Sequence, residues 1–383
     1  MNGTTTASID LIPLEISPYG VYIPDYFNMD YALPVYGYIT PALSIVVTVT
    51  NILFVTVFVR SGMKSPTHIL LRFMAISDTL TVVIPTPCFI YIYLLRNYEE
   101  FLVYDLCKVW DLFTNFIPAI THAASIWLTV VLAFQRFLCV CFPLNVKIWF
   151  NAKRTYITIA ATYVLAICSN ISRFLEKDVI PVKLISKLKP GTIMEGCVYK
   201  YNDWMIESGI DYLKIYYWLR ALLVQLAPCI TMAIFNGVVL YKIKVAERRR
   251  MTLRSGMTTM RRTSVQESRE SRVTTLLVCF IVLSVLIVEI PVAIFLILYA
   301  CALSLEVTII PNDQIEPLSI MSNLLVLASY PLHFALYSCM STHFRSTLCK
   351  LLRPRCLSTK GKFEVKDGRN RNVSENESID THM

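Results

Sequence analysis

Three ionisable side chains, Asp78, Arg136 and Glu289, stand inside otherwise apolar stretches of this 383-residue chain. A charge held away from water is costly, so such a residue finds a partner, changes its protonation state or acts as a switch. Glu289 reads as a carboxyl bonded to Asn323 or Ser322, or as the partner of a base such as Arg220 or of a ligand's cation. Asp111, Asn115, Arg220, Gln225, Glu316 and Asn323 add polar groups toward one end of the same stretches, where they could bind a ligand. Asp111 leads that set, because it could pair with a cationic ligand group.

Bond-making chemistry finds little material. There is no His-Glu-x-x-His, no Gly-x-Ser-x-Gly and no phosphate-cradling loop. The five histidines (68, 122, 333, 343 and 382) show no metal-ligand spacing and are read as structural or exposed. The chemistry expected is therefore binding and charge switching, with no enzyme activity and no cofactor.

Composition identifies the elements that must hold these residues. The chain is 55% hydrophobic and 16% charged, with a mean hydropathy of +0.54, well outside the soluble norm of about 25% charged. Its apolar residues fall in seven blocks near 35–59, 67–95, 109–140, 155–172, 215–241, 273–301 and 317–341. About 20 apolar residues span a bilayer as a helix, and in lipid such blocks must be helices to satisfy their own backbone. The fold class is an all-α seven-helix membrane bundle spanning 35–341. An extracellular arm (1–34) precedes it; an amphipathic surface helix (342–354) and a disordered cytoplasmic tail (355–383) follow.

Charge sets the expected orientation. Residues 1–34 hold no Lys or Arg, whereas 242–272 hold ten basic residues against three acids, and the tail from 341 holds nine against five. The positive-inside bias puts the N-terminus outside and both basic segments in the cytoplasm. Much of the formal charge of +9 is then a cytoplasmic collar and not a nucleic-acid footprint. No signal peptide is expected, since no basic region precedes the first block and that block is too long.

Between blocks four and five, two β-prone runs flank Pro190-Gly191, which suits a type II turn, so a β-hairpin is expected over 178–201. Of twelve cysteines, Cys107 and Cys197 face the oxidising side; a disulfide between them would pin the hairpin over the mouth of the bundle. Cys349 and Cys356 sit beside basic residues in a palmitoylation context. Asn2 opens a glycosylation sequon on the correct side, while those at Asn170, Asn372 and Asn376 fall in a span or in the cytoplasm.

The bundle, its basic collar and its ordered markers resemble the rhodopsin-like G-protein-coupled receptors. The markers are Asn51 in span one, Met74-Ala75-Ile76-Ser77-Asp78 in span two and Phe134-Gln135-Arg136-Phe137 closing span three. Pro228, Pro291 and Pro331 in spans five to seven and Phe344-Arg345-Ser346-Thr347-Leu348 after them complete the series. A narrower likeness, to the invertebrate sex peptide/myoinhibitory peptide receptor group, rests on four stretches. They are His122 to Thr129, Tyr216-Tyr217-Trp218, Glu289-Ile290-Pro291 and Ser329-Tyr330-Pro331, joined by Gln135-Arg136-Phe137 and the closing run Tyr337 to Arg345.

The resemblance implies roles. Asp78 and Ser125 would belong to a sodium- and water-filled pocket, but Tyr330 and Phe334 replace the usual Asn and Tyr, so the pocket is expected to hold water without binding sodium well. Arg136 would bridge to span six at rest and meet a G protein when released. Gln135 replaces the usual acid, which implies a shallower resting well. The implied partners are a short extracellular neuropeptide and a heterotrimeric G protein, of the inhibitory class by family resemblance. Receptor kinases and arrestin would act at Thr263 and Ser264, and membrane lipid surrounds the bundle at the plasma membrane.

Other classes fit less well. An amine receptor would need an Asp where Pro118 stands, and an opsin a Lys within 317–341, which has none. A secondary transporter would show inverted repeats, and none is visible. An orphan or constitutively active receptor is the remaining alternative. Pro228 and Pro291 lack the N–H that a helix needs and mark the flexible points that an outward swing of span six would use.

Overall fold

The computed structural model describes residues 19–62, 65–143, 146–254 and 262–352. Within them the chain forms a helical bundle with one two-stranded sheet. Six helices are long and apolar enough to cross a membrane: Met29–Arg60, Pro66–Leu94, Tyr104–Cys141, Asp211–Arg249, Arg272–Leu305 and Asp313–Met340. They are spans one, two, three, five, six and seven. Span four, Ala152–Cys168, has 17 residues, a little short of the roughly 20 that cross a bilayer unaided. Asn151 starts it by accepting from the Arg154 amide at 2.9 Å, one of the donors that a helix start leaves free.

Span one begins earlier than the apolar block at 35. Asn28 caps it by accepting from the Asp30 amide at 3.0 Å. Ahead of it Val21 and Ile23 are buried, so part of the N-terminal arm is built into the bundle's end. There the Val21 amide donates to the Cys197 carbonyl and the Leu102 amide to the Val21 carbonyl, each at 2.9 Å.

Four spans carry a π-helical stretch in the half nearest the hairpin: Leu33–Ile39, Ile90–Leu94, Leu112–Phe116 and Arg220–Leu226. A π-turn absorbs an extra residue in a helix. The stretch in span three lies just before Pro118, between Cys107 and Arg136.

The hairpin pairs β1 (Lys177–Ile185) with β2 (Ile193–Tyr201) antiparallel, Pro181 opposite Cys197. The Thr192 amide donates to the Lys189 carbonyl at 3.0 Å. Gly191, at φ +87°, occupies the left-handed position that a type II turn reserves for glycine. Cys107 at the start of span three is bonded to Cys197, so the sheet is fastened to the bundle at its middle.

Among the described residues, the two larger apolar cores sit at opposite ends. The core remote from the hairpin joins Phe54, Phe58, Met74, Leu132, Ile281 and Tyr337. The terminal helix, Thr342–Leu352, docks there through the fully buried Phe344. The other core packs Val21, Ile23, Phe89, Tyr93, Trp110 and the disulfide beneath the hairpin. A polar layer lies between them, and it holds the candidate switch.

Candidate functional site

Asp78 is fully buried and accepts from Ser125 Oγ at 2.5 Å. Its other oxygen, Oδ2, faces His333 Nδ1 at 3.4 Å. The Asn51 amide donates to Thr79 Oγ1, next to Asp78 in sequence, at 3.1 Å. One helical turn toward the hairpin, His122 Nδ1 lies 3.2 Å from the Tyr330 hydroxyl. Its Nε2 lies 3.7 Å from Glu289 Oε1. Gln225 Nε2 donates to the Glu289 carboxylate. Spans two, three, six and seven enclose a cavity of about 10 Å³ lined by Asp78, His122, Ser125, Glu289, Tyr330 and His333, about the least that admits one water.

Glu289 therefore has different partners from those expected. Asn323 bonds Tyr36, and Arg220 bonds the Tyr216 hydroxyl at 3.0 Å on its own helix. Arg220 lies in the π-helical stretch of span five, and Gln225, five residues on, is the side chain that faces Glu289. Pro291 and Pro331 lie within continuous helices of spans six and seven. Pro228 stands two residues past the π-helical stretch.

At the opposite end Arg136 is buried and its Nη2 donates to Thr67 Oγ1 at 2.8 Å. That hydroxyl donates in turn to Gln135 Oε1 at 3.2 Å. The expected bridge from Arg136 to span six is not formed among the described residues. Its neighbour there is Cys279, in a stretch, 275–282, without any acid. Phe334 packs on Phe344, ring centres 5.9 Å apart.

Toward the hairpin, Asp111 is already engaged. Lys177 Nζ, from the start of β1, lies 3.1 Å from its Oδ1, and Asn115 Nδ2 donates to the same oxygen at 2.9 Å. Arg173 and Glu176 pair beside them at 3.2 Å. Burial raises the Glu176 carboxyl above its ordinary range, against the pull of Arg173 and Lys177. Glu316 accepts from the Asn28 amide at 2.6 Å, tying span seven to the cap of span one.

His122, His333, Thr67 and Lys177 were missed as site residues. The i,i+3 spacing of His122 with Ser125 and of Tyr330 with His333 was the available signal for the histidines, since it puts each pair on one helical face. Asn170, whose sequon was assigned to a span, lies just past the end of span four, buried, with its amide donating to the Ala166 carbonyl at 2.8 Å. Cys349 is exposed on the terminal helix. Asn2 and Cys356 lie outside the described residues, as do the side chains of Thr263 and Ser264.

A family model described as serpentine type 7TM GPCR chemoreceptor Srw matches residues 38–355. The chain is 30% identical over 358 residues to the sex peptide receptor of Drosophila melanogaster, across 92% of this chain and 80% of that protein. It is 27% identical to the sex peptide receptor-related protein 2 of Caenorhabditis elegans, across 84% of this chain and 72% of that one. The FMRFamide receptor of Drosophila melanogaster is 24% identical over 63% of this chain and 39% of its own length. With the family model matching 38–355, from within span one to past the terminal helix, the chain belongs to the serpentine seven-transmembrane G-protein-coupled receptors, and it is a receptor and not an enzyme.

Proposed function

We propose that this chain is a plasma-membrane receptor for a short extracellular neuropeptide and signals through a heterotrimeric G protein. The observation that carries the reading is the likeness to the sex peptide receptor over 92% of the chain. In this reading the N-terminus and the hairpin lie outside, and the basic segment after span five and the terminal helix lie inside. The peptide would enter beneath the hairpin and meet Asp111, Asn115, Arg220, Gln225, Glu316 and Asn323. It would favour a state in which span six swings outward about Pro291, and a ligand shifts such an equilibrium only by its differential affinity for the two states.

The inhibitory class of G protein, arrestin, receptor kinases at Thr263 and Ser264, glycosylation at Asn2 and palmitoylation at Cys349 and Cys356 belong to the same proposal. Cys349 is exposed on the helix that would lie at the inner membrane surface, which suits a lipid anchor. The division into an arm (1–34), bundle (35–341), surface helix (342–354) and tail (355–383) is part of it too.

The test is G-protein activation in cells expressing the chain and challenged with a library of short amidated neuropeptides. A saturable response that Cys197→Ser abolishes at matched surface expression supports the reading. Silence across the library with surface expression confirmed overturns peptide recognition. A high ligand-free signal in the same cells would favour the constitutive alternative, which Gln135 beside Arg136 makes physically reasonable.

A further inference from the structure

Of the six polar side chains that the sequence offers for ligand contact, five are paired within the chain. Asp111 pairs with Lys177, and Asn115 donates to Asp111. Gln225 donates to Glu289, Glu316 accepts from the Asn28 amide, and Asn323 bonds Tyr36. Arg220 differs. Its Nη1 donates to the Tyr216 hydroxyl at 3.0 Å, one bond for a group that carries five N–H donors. Among the described residues no carboxylate lies within ion-pair reach of it, whereas Arg173 has Glu176 at 3.2 Å and Lys214 has Glu306 at 3.1 Å. A half-buried guanidinium on a spanning helix is costly without a counter-charge.

Two further observations place the vacancy on the open side of the mouth. Beside spans one, two and seven the chain fills the mouth itself, with Val21 and Ile23 buried in one cluster with Val35, Phe89 and Ile320. On the other side Tyr217 stands near both Arg173 and Arg220. Its ring meets that of Tyr299 on span six edge-on, centres 4.8 Å apart, and Arg173 lies over the Tyr216 ring at 5.3 Å. The charges here are unequal: Arg173, Lys177 and Arg220 face only Asp111 and Glu176.

We propose that Arg220 is the anchor for a carboxylate of the ligand, which in an amidated peptide is an Asp or Glu side chain. A planar guanidinium matches both oxygens of a carboxylate, and the tyrosine rings beside it suit an apolar neighbour of that group. The proposal rests on the peptide-receptor reading and names the chemistry that its site selects.

Two measurements keep the proposal and that reading apart. The full chain, purified in detergent, is unfolded thermally at neutral pH and equal ionic strength with N-acetylphenylalanine or with its neutral amide, which share a shape and differ in one charge. The carboxylate is expected to raise the melting temperature with the logarithm of its concentration, the amide to leave it unchanged, and Arg220→Gln to lose the rise. Equal shifts from both compounds, no shift from either, or a rise that persists in Arg220→Gln would overturn the proposal. In cells, each activating peptide is compared with a copy in which every Asp and Glu is replaced by Asn and Gln. The copy should lose potency by about tenfold or more on the unaltered chain and little on Arg220→Gln. Full potency of the neutral copies on the unaltered chain would again overturn it. Silence of every peptide would remove the peptide reading, and the thermal comparison would still decide for or against Arg220.

Discussion

Thr67 on span two stands between two neighbours of span three, accepting from Arg136 Nη2 at 2.8 Å and donating to Gln135 Oε1 at 3.2 Å. A single hydroxyl thereby does what an acid beside the arginine would do on its own helix: it gives the guanidinium a fixed partner at rest. The restraint is weaker, because a neutral hydroxyl replaces a carboxylate, and a bond to a charged group contributes about 1.5–3 kcal/mol. Thr67→Val keeps the shape and removes the bond, so ligand-free G-protein activation is expected to rise. Because about 1.4 kcal/mol is a factor of ten, the rise should reach about tenfold. Gln135→Asp is expected to lower it. Nucleotide exchange on purified G protein, at matched receptor amounts, measures both, and an unchanged basal rate in Thr67→Val would remove the latch from the mechanism.

Glu289 is held by Gln225, which donates to its carboxylate and, at 3.3 Å, to its backbone carbonyl. Glu289→Gln retains an acceptor for Gln225 but ends the attraction for His122, so its thermal stability should stay close to the original. Glu289→Leu leaves buried amide donors unpaired, at a cost of about 1–3 kcal/mol, and its melting temperature should fall by several degrees. Equal losses in both variants would mean that the charge, not the hydrogen bond, holds spans five and six together here.

The parts of this site that were legible in the sequence are those that depend on one segment alone. An acid inside an apolar run, as at Asp78 or Glu289, is visible without any fold. Pro190-Gly191 specifies its own turn, and Cys107 and Cys197 stand out by the side on which they lie. The partners were not legible, because they depend on how each span is rotated about its axis. Span one is apolar on every face, so no stripe fixes its rotation, and Asn51 could equally have met Asp78 or Thr79. The π-helical stretch at Arg220–Leu226 lies between Arg220 and Gln225, and Gln225 is the one that faces Glu289. Lys177 reaches Asp111 only because the disulfide fastens the hairpin at Cys197, far along the chain from where Lys177 begins it.

Glu100, after span two, fastens the far end of the hairpin. Its carboxylate accepts from Ser186 Oγ at 2.5 Å and from the Lys187 and Leu188 amides at 2.9 and 3.1 Å. Burial pushes this carboxyl up, but the bonds to Ser186, Lys187, Phe101 and Leu188 outweigh it and hold it below its ordinary range. A carboxyl lowered by folding stabilises above its unfolded titration range, and that contribution is lost as pH falls through the folded value. Protection of the Lys187 and Leu188 amides from hydrogen exchange, taken relative to the intrinsic rate at each pH, should therefore fall in acid. In Glu100→Gln that protection should already be low at neutral pH and change little with pH; full protection in that variant would show that the sheet holds its tip unaided.

Asp111 is half-buried beneath the hairpin, and Lys177 already neutralises it, its ammonium 4.3 Å from the centre of the Tyr199 ring. A cationic group of a ligand can reach Asp111 only by displacing that ammonium, so Lys177 sets a threshold that neutral ligands do not meet. Lys177→Met keeps an apolar stem against Tyr199 and removes the competing charge. Peptides bearing a free amine or an arginine should then activate at concentrations lower by about tenfold, the equivalent of about 1.4 kcal/mol. Amidated peptides without a cation should be unaffected. Asp111→Asn should cancel the gain for the cationic peptides alone. Concentration–response curves for matched peptides with and without the cation decide the point. A loss of potency for both kinds in Lys177→Met would mean that Lys177 itself holds an acceptor on the ligand, and Asp111 would then serve to place the lysine.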